Sequence, residues 1–108
     1  MITKYSGSES SVRIPAEIDG HPVISIGKNA FKTNTTISSV SFPGSVVSIE
    51  ENAFNGCSNL KSAYFSGKPP ISFSASAFWN VASGFAIFYP DGTAGWSNPW
   101  NGYATQTY

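Results

Sequence analysis

The sequence predicts an α/β repeat: a short solenoid with a parallel β-sheet, little regular helix and an irregular C-terminal cap. Three observations carry that prediction. "IGKNAF" (Ile26–Phe31) returns as "IEENAF" (Ile49–Phe54), 23 residues later. The register then holds across two full units. Val23 meets Val46, Ile26 meets Ile49, Asn29-Ala30-Phe31 meets Asn52-Ala53-Phe54, Ile37 meets Leu60, Val40 meets Ala63 and Phe42 meets Phe65. Finally, every recurring position except the asparagine is apolar or small, while positions between them vary, as with Lys28 against Glu51. A period of 20–29 residues is that of a solenoid unit made of one strand and one return segment. One such unit cannot bury its apolar edge alone, and stacked units can.

The N-terminal segment, residues 1–22, reads as a partial repeat and cap. "SSVRIP" (Ser10–Pro15) matches "SSVSFP" (Ser38–Pro43), with the interval widened by "AEIDGHP". The start "MITKYSGSESSVRIP" supplies two short strands joined through "SGSES". Residues 23–45 and 46–68 are the two full repeats. Each ends in an alternating stretch, "VSF" or "AYF", which is a strand pattern. Each begins with Val-x-x-Ile-x-x-x-Ala-Phe, too short and β-branched for a long helix. That half is an extended piece followed by one helical or 3₁₀ turn. Asn29 and Asn52 are expected to hydrogen-bond backbone groups there. Residues 69–90 are a degenerate repeat. "SASAFWN" carries Ala77–Phe78, and "FAIFYP" puts Ile87, Tyr89 and Pro90 where Val40, Phe42 and Pro43 stood. Residues 91–108 differ sharply in composition, with Trp96, Trp100, Tyr103, Tyr108 and one charge, Asp91. They are expected to lay aromatic rings over the last repeat, closing an end that a solenoid otherwise leaves open. The whole chain is one domain.

The phrase "V.SI..NAF..C.NL.S..F" across Val46–Phe65 resembles the BspA-like leucine-rich repeat family. "IPAEIDGHPVISIGKNAF" is similar to that family's first full repeat. The resemblance spans roughly Ile2 to Pro90. It departs at Glu50, where the first repeat has Gly27, at the small Ala63, and in the unit after Lys68. It implies a curved leucine-rich-repeat solenoid with its parallel sheet on the concave face. It also implies a bacterial surface or secreted protein whose role is binding or adhesion.

Composition narrows the function further. Six basic residues balance six acidic ones, and charged residues are 11% of the chain, against about 25% in an average soluble protein. That argues against a nucleic-acid partner, which calls for a basic footprint, and against a polybasic membrane anchor. No apolar run reaches the length of a membrane span, so direct insertion is not expected. Serine, with 18 copies, supplies most of the polar surface. The start has no leader-like charged and apolar regions. Together with the repeats this suggests a piece of a longer extracellular or cell-surface protein.

No reaction is indicated. His21, the single histidine, lies in "DGHPV", a turn signature, and no nucleophile motif accompanies it. It also rules out a histidine metal cluster. Cys57, the single cysteine, forbids an intrachain disulfide and reads as a buried, inert thiol. Glu50 and Glu51 are adjacent and point apart. Glu17, Asp19 and Asp91 do not form a calcium loop. "NTT" at Asn34–Thr36 is a formal N-glycosylation acceptor without meaning in a bacterial source. No cofactor is expected.

Outward residues of the strands are the best candidates for function, because alternate side chains face away from the core. Stacking aligns Arg13, Ser41, Tyr64 and Phe88 in one ladder and Ser11, Ser39, Ser62 and Ala86 in the next. The expected ligand-binding face is therefore Arg13, Ser39, Ser41, Ser62, Tyr64 and Phe88. Adjacent exposed aromatics with an arginine nearby suit a protein or glycan ligand, from a host or a matrix. The same rings would equally cover a short sheet or pack on the tail, a reading that stands beside the first. Trp96, Trp100 and Tyr103 form an alternative aromatic platform for sugar. A structural spacer in a larger surface protein is a further alternative.

Overall fold

In the computed structural model of the chain, Ile2 and residues 9–108 are described. The linker expected at Ser6–Ser10 falls largely outside them. Among the described residues ten short strands and one 3₁₀ helix follow in order: β1 (Ser11–Arg13), β2 (Glu17–Ile18), β3 (His21–Pro22), β4 (Ser25–Ile26), β5 (Ser39–Phe42), β6 (Ser48–Ile49), β7 (Ser62–Phe65), β8 (Ser72–Phe73), the 3₁₀ helix Ala75–Phe78, β9 (Ala86–Tyr89) and β10 (Thr105–Thr107).

Eight of these strands make two parallel sheets, one on each side of the coils, and β2 and β3 pair antiparallel. The larger has the order β1-β5-β7-β9-β10 and the smaller β4-β6-β8. The 23-residue register is the pairing register. Val40 faces Ala63 and Phe42 faces Phe65 in one sheet, and Ile26 faces Ile49 in the other. "SSVRIP" pairs as the sequence alignment requires, with Val12 opposite Val40 and Arg13 opposite Ser41. Ile2 bridges to Ile26, so the chain's start joins the smaller sheet while β1 joins the larger.

Recurring apolar residues form columns through the core. Phe31, Phe54 and Phe78 stack face to face at 4.6 and 5.2 Å. Phe42 stacks on Phe65 at 4.6 Å and meets Phe54 edge-on. Ala30, Ala53 and Ala77 are buried beside them, small enough to let the coils approach. That approach is made by backbone bonds from coil to coil. Phe31 N–H donates to Ala53 O at 2.7 Å, and Phe54 N–H to Ala77 O at 2.8 Å. The alanines recur because a larger side chain would hold these backbones apart.

Between the strands each return segment is a run of i→i−3 bonds, for example Ala30 N–H to Gly27 O and Lys32 N–H to Asn29 O. This is the helical or 3₁₀ turn read from the sequence. The reason for its asparagine differs from the expected one. Asn29 (φ 63°) and Asn52 (φ 59°) occupy the left-handed region, which asparagine tolerates better than most residues. The Asn52 side chain accepts from Asn55 Nδ2 rather than from backbone. In the third unit Ser76 takes the asparagine's place, and there the segment is a 3₁₀ helix capped by Ser74. A second left-handed position recurs four residues on, at Thr33, Gly56 and Asn80.

Two features depart from the sequence reading. The insert "AEIDGHP" is a hairpin of β2 and β3, turned at Asp19 (φ 53°) and Gly20 (φ 79°). Positive φ at both central residues defines the turn that Asp-Gly favours. The C-terminal cap is not wholly irregular either. Asn101 (φ 49°) and Gly102 (φ 84°) make the same kind of turn between Trp100 and Tyr103. The chain then adds β10 in parallel to β9, Thr105 opposite Ile87, as the fifth strand of the larger sheet.

Candidate functional site

The candidate site is the outer face of the larger sheet. The two ladders read from the sequence are the two rows of cross-strand neighbours. Arg13, Ser41, Tyr64 and Phe88 pair in turn along one row, and Ser11, Ser39, Ser62 and Ala86 along the other. Inward residues of these strands are buried, from Val12 and Val40 to Ala63 and Ile87. Ser39, Ser41, Ser62, Tyr64 and Phe88 are half-buried and Arg13 is exposed. Ser11 and Ser39 join their hydroxyls at 2.8 Å. Ala86, at 8% exposure, contributes little surface.

Tyr64 and Phe88 stack at 4.8 Å with 19° between their planes. The tail adds two residues that sequence reasoning did not place here. Gln106 stands opposite Phe88 and extends the row onto β10. Tyr108 meets Tyr64 edge-on at 5.6 Å. Its position follows from a gap in the ladder. Ala86 N–H donates to Lys61 O, and two steps further the same rhythm brings Pro90 to Phe65 O. Proline has no N–H to give, and the Tyr108 hydroxyl donates to Phe65 O at 3.0 Å instead. A Thr-Gln-Thr alternation after an Asn-Gly turn was the signal that could have found this strand.

Trp96, Trp100 and Tyr103 are brought together over the last coil, as a cap. Trp100 is 9% exposed and packs on Phe73 at 4.6 Å and Trp96 at 4.9 Å. Trp96 stacks on Tyr89 at 5.2 Å, leans on Phe65, and donates its indole N–H to Gly67 O at 3.0 Å. Tyr103 packs edge-on against Phe73, Phe78 and Phe85 and donates its hydroxyl to Ala75 O. Burial raises the Tyr103 pKa, outweighing a backbone hydrogen bond that lowers it. Trp96 and Trp100 thus spend much of their surface on protein neighbours, and Tyr103 stays half-buried among ring edges.

Cys57 is fully buried and its thiol donates to Phe31 O at 3.0 Å. Burial pushes its pKa from 9.0 up to about 11, only partly offset by the Asn34 amide. A raised acid pKa means that the folded state holds the proton longer than the unfolded one. Stability is therefore expected to fall between pH 9 and about 11, by about 2–3 kcal/mol in total at that end. Urea titrations across that range should show a smaller fall in Cys57→Ala, and a thiol reagent at pH 8 should label wild type only once it is unfolded. His21 is exposed in the hairpin. Asn34 Oδ1 accepts from the Thr36 and Ile37 N–H groups, so the residue shapes its own turn.

Among the described residues, one open groove adjoins this face and another lies on the side of the smaller sheet. One of about 600 Å³ runs past Arg13, Ser41, Pro43 and Ser66 at the strand ends. The other, about 570 Å³, lies by Lys28 and Glu51, which form an exposed ion pair at 3.1 Å. Among the described residues no group of three His, Cys, Asp or Glu is placed to hold a metal, and no helix is long and apolar enough to cross a membrane. The smaller sheet carries an unexpected feature, an apolar row outside the core: Ile24, Val47 and Ile71, of which Ile71 is 91% exposed.

A family model described as the BspA type leucine rich repeat region (6 copies) matches residues 5–93. No curated protein and no solved structure matches the chain.

Proposed function

The chain belongs to the BspA-type leucine-rich-repeat family, and from that premise we propose that it is a non-catalytic binding module of a bacterial cell-surface or secreted protein. Repeats of this family are typically non-enzymatic and usually surface-associated. The proposed ligand surface is the outer face of the five-stranded sheet, and the ligand is a host or matrix protein or a glycan. The observation that supports this most is the half-exposed Tyr64–Phe88 ring pair, which sits in a hydroxyl-lined row that ends in Arg13. Aromatic and arginine side chains dominate binding hot spots, and small hydroxyls around them allow close approach.

A test is an array of matrix proteins, host surface proteins and glycans, probed with wild type and with Tyr64→Ala. Loss of a hot-spot tyrosine should weaken a genuine ligand by about 30-fold, equivalent to roughly 2 kcal/mol. Unchanged binding in Tyr64→Ala would remove the sheet face from consideration.

A second reading, a spacer within a larger surface protein, draws support from the Ile24–Val47–Ile71 row. Three exposed β-branched residues in register are what a module packed against further protein would present. In that case the array returns no ligand.

A further inference from the structure

The outer row of the larger sheet reads Arg13, Ser41, Tyr64, Phe88 and Gln106 across five consecutive strands. Rings stand on β7 and β9, and β5 between them and the arginine carries only a serine. The inner face differs, since there β5 contributes Phe42, stacked on Phe65 at 4.6 Å. Parallel strands are spaced by about 4.8 Å, and the Tyr64–Phe88 centroids are 4.8 Å apart. Ring stacking therefore keeps the strand rhythm, and the place at Ser41, between Tyr64 and Arg13, carries no ring. Arg13 lies two strands from Tyr64, roughly 10 Å away by that spacing.

We propose that the space above Ser41, between Tyr64 and Arg13, is a slot for one aromatic side chain of a partner protein. This deepens the sheet-face reading and rests on it. A ring above Ser41 would continue the stack at about 4.8 Å from Tyr64, with the strand that carries Arg13 the same distance away on its other side. At that spacing the Arg13 side chain can bring its guanidinium to the roughly 6 Å at which a cation is attracted to a ring face. Arg13 forms no ion pair among the described residues, so no acidic side chain of theirs competes for it. Tyr108 does not fill the slot: its hydroxyl is held on Phe65 O, at the ladder position that faces β9 and away from β5. The groove past Arg13, Ser41 and Pro43 gives the partner's chain a path to the slot. An aliphatic group would fill the volume without the attraction of a π face for the guanidinium.

Disulfide tethering tests this at affinities too weak for direct titration, because a tethered group acts at high effective concentration. Cys57 is buried, so an introduced cysteine is the reactive thiol. Ser39→Cys places one two residues before Ser41 on the same face of β5, and Ser62→Cys provides a second attachment point on β7 should the first variant fold poorly. Each is equilibrated with 4-hydroxyphenethyl, cyclohexylethyl and glucosyl disulfides under increasing reductant, beside Lys32→Cys as a surface reference. The phenolic adduct should survive roughly tenfold more reductant than the cyclohexyl adduct. Adding Ser41→Phe, which supplies the ring from the protein itself, should abolish that preference. Equal retention of phenyl and cyclohexyl groups, above the Lys32→Cys reference, would overturn the aromatic slot and leave the sheet face as a general apolar surface. Stronger retention of the glucosyl group would overturn it in favour of a glycan. No retention above the reference would overturn the slot and the sheet-face reading together.

Discussion

Phe54→Ala is expected to lower the free energy of unfolding by roughly 3–5 kcal/mol. Phe54 has no exposed surface and is the middle ring of the central column, with Phe31 on one side, Phe78 on the other and Phe42 edge-on. Removing it opens a cavity that backbone bonds on both sides keep from collapsing, since its coil is tied to Ala77 O and its neighbour's to Ala53 O. A domain of this size has only about 5–15 kcal/mol in total, so the variant should be largely unfolded in mild urea. Lys28→Ala is the control. Its ion pair with Glu51 is more than half exposed on both sides, and its loss should cost less than about 0.5 kcal/mol. Equal midpoints for the two variants would contradict the division into a repeating core and a variable surface.

Trp100→Ala should cost about 3 kcal/mol, the lower end for a large aromatic. Trp100 is nearly buried, but it lies on the last unit and loses neighbours on one side only, Phe73 and Trp96. Its removal should also loosen the turn at Asn101–Gly102, because Trp100 and Tyr103 exchange both backbone bonds there at 2.9 Å. Circular dichroism in a urea titration reads the stability loss, and faster amide exchange at Thr105–Thr107 reads the loosened strand. A Trp100→Ala protein as stable as wild type would show that the tail is an appendage and not a cap.

Most of the fold was legible because a solenoid repeats its physics. A residue that packs on its own copy must recur at the same interval, so the columns of Ile, Ala and Phe stand in the sequence as a period. The outward rows followed from the same period and the alternation of strands. What stayed hidden does not repeat as a residue type. Thr33, Gly56 and Asn80 share a left-handed backbone but no side chain, so no recurring letter marks them. The hairpin at Asp19–Gly20 and the strand Thr105–Thr107 occur once each, at the ends, where neighbours differ. Tyr108 reached the sheet face because Pro90 leaves Phe65 O without a donor, a link between residues far apart in the chain. The row of Ile24, Val47 and Ile71 misleads in the opposite sense: it recurs and is apolar, yet it faces outward.

Two sets of rings therefore divide the roles. Tyr64, Phe88 and Tyr108 belong to the sheet face, and Trp96, Trp100 and Tyr103 close the last coil. The most direct test is hydroxyl-radical footprinting of the protein alone and with the strongest partner from the array, reading oxidation of all six rings. Binding on the sheet face predicts that the partner protects Tyr64, Phe88 and Tyr108 and leaves Trp96, Trp100 and Tyr103 unchanged. Protection of the three cap rings, with the sheet rings still oxidised, would contradict it.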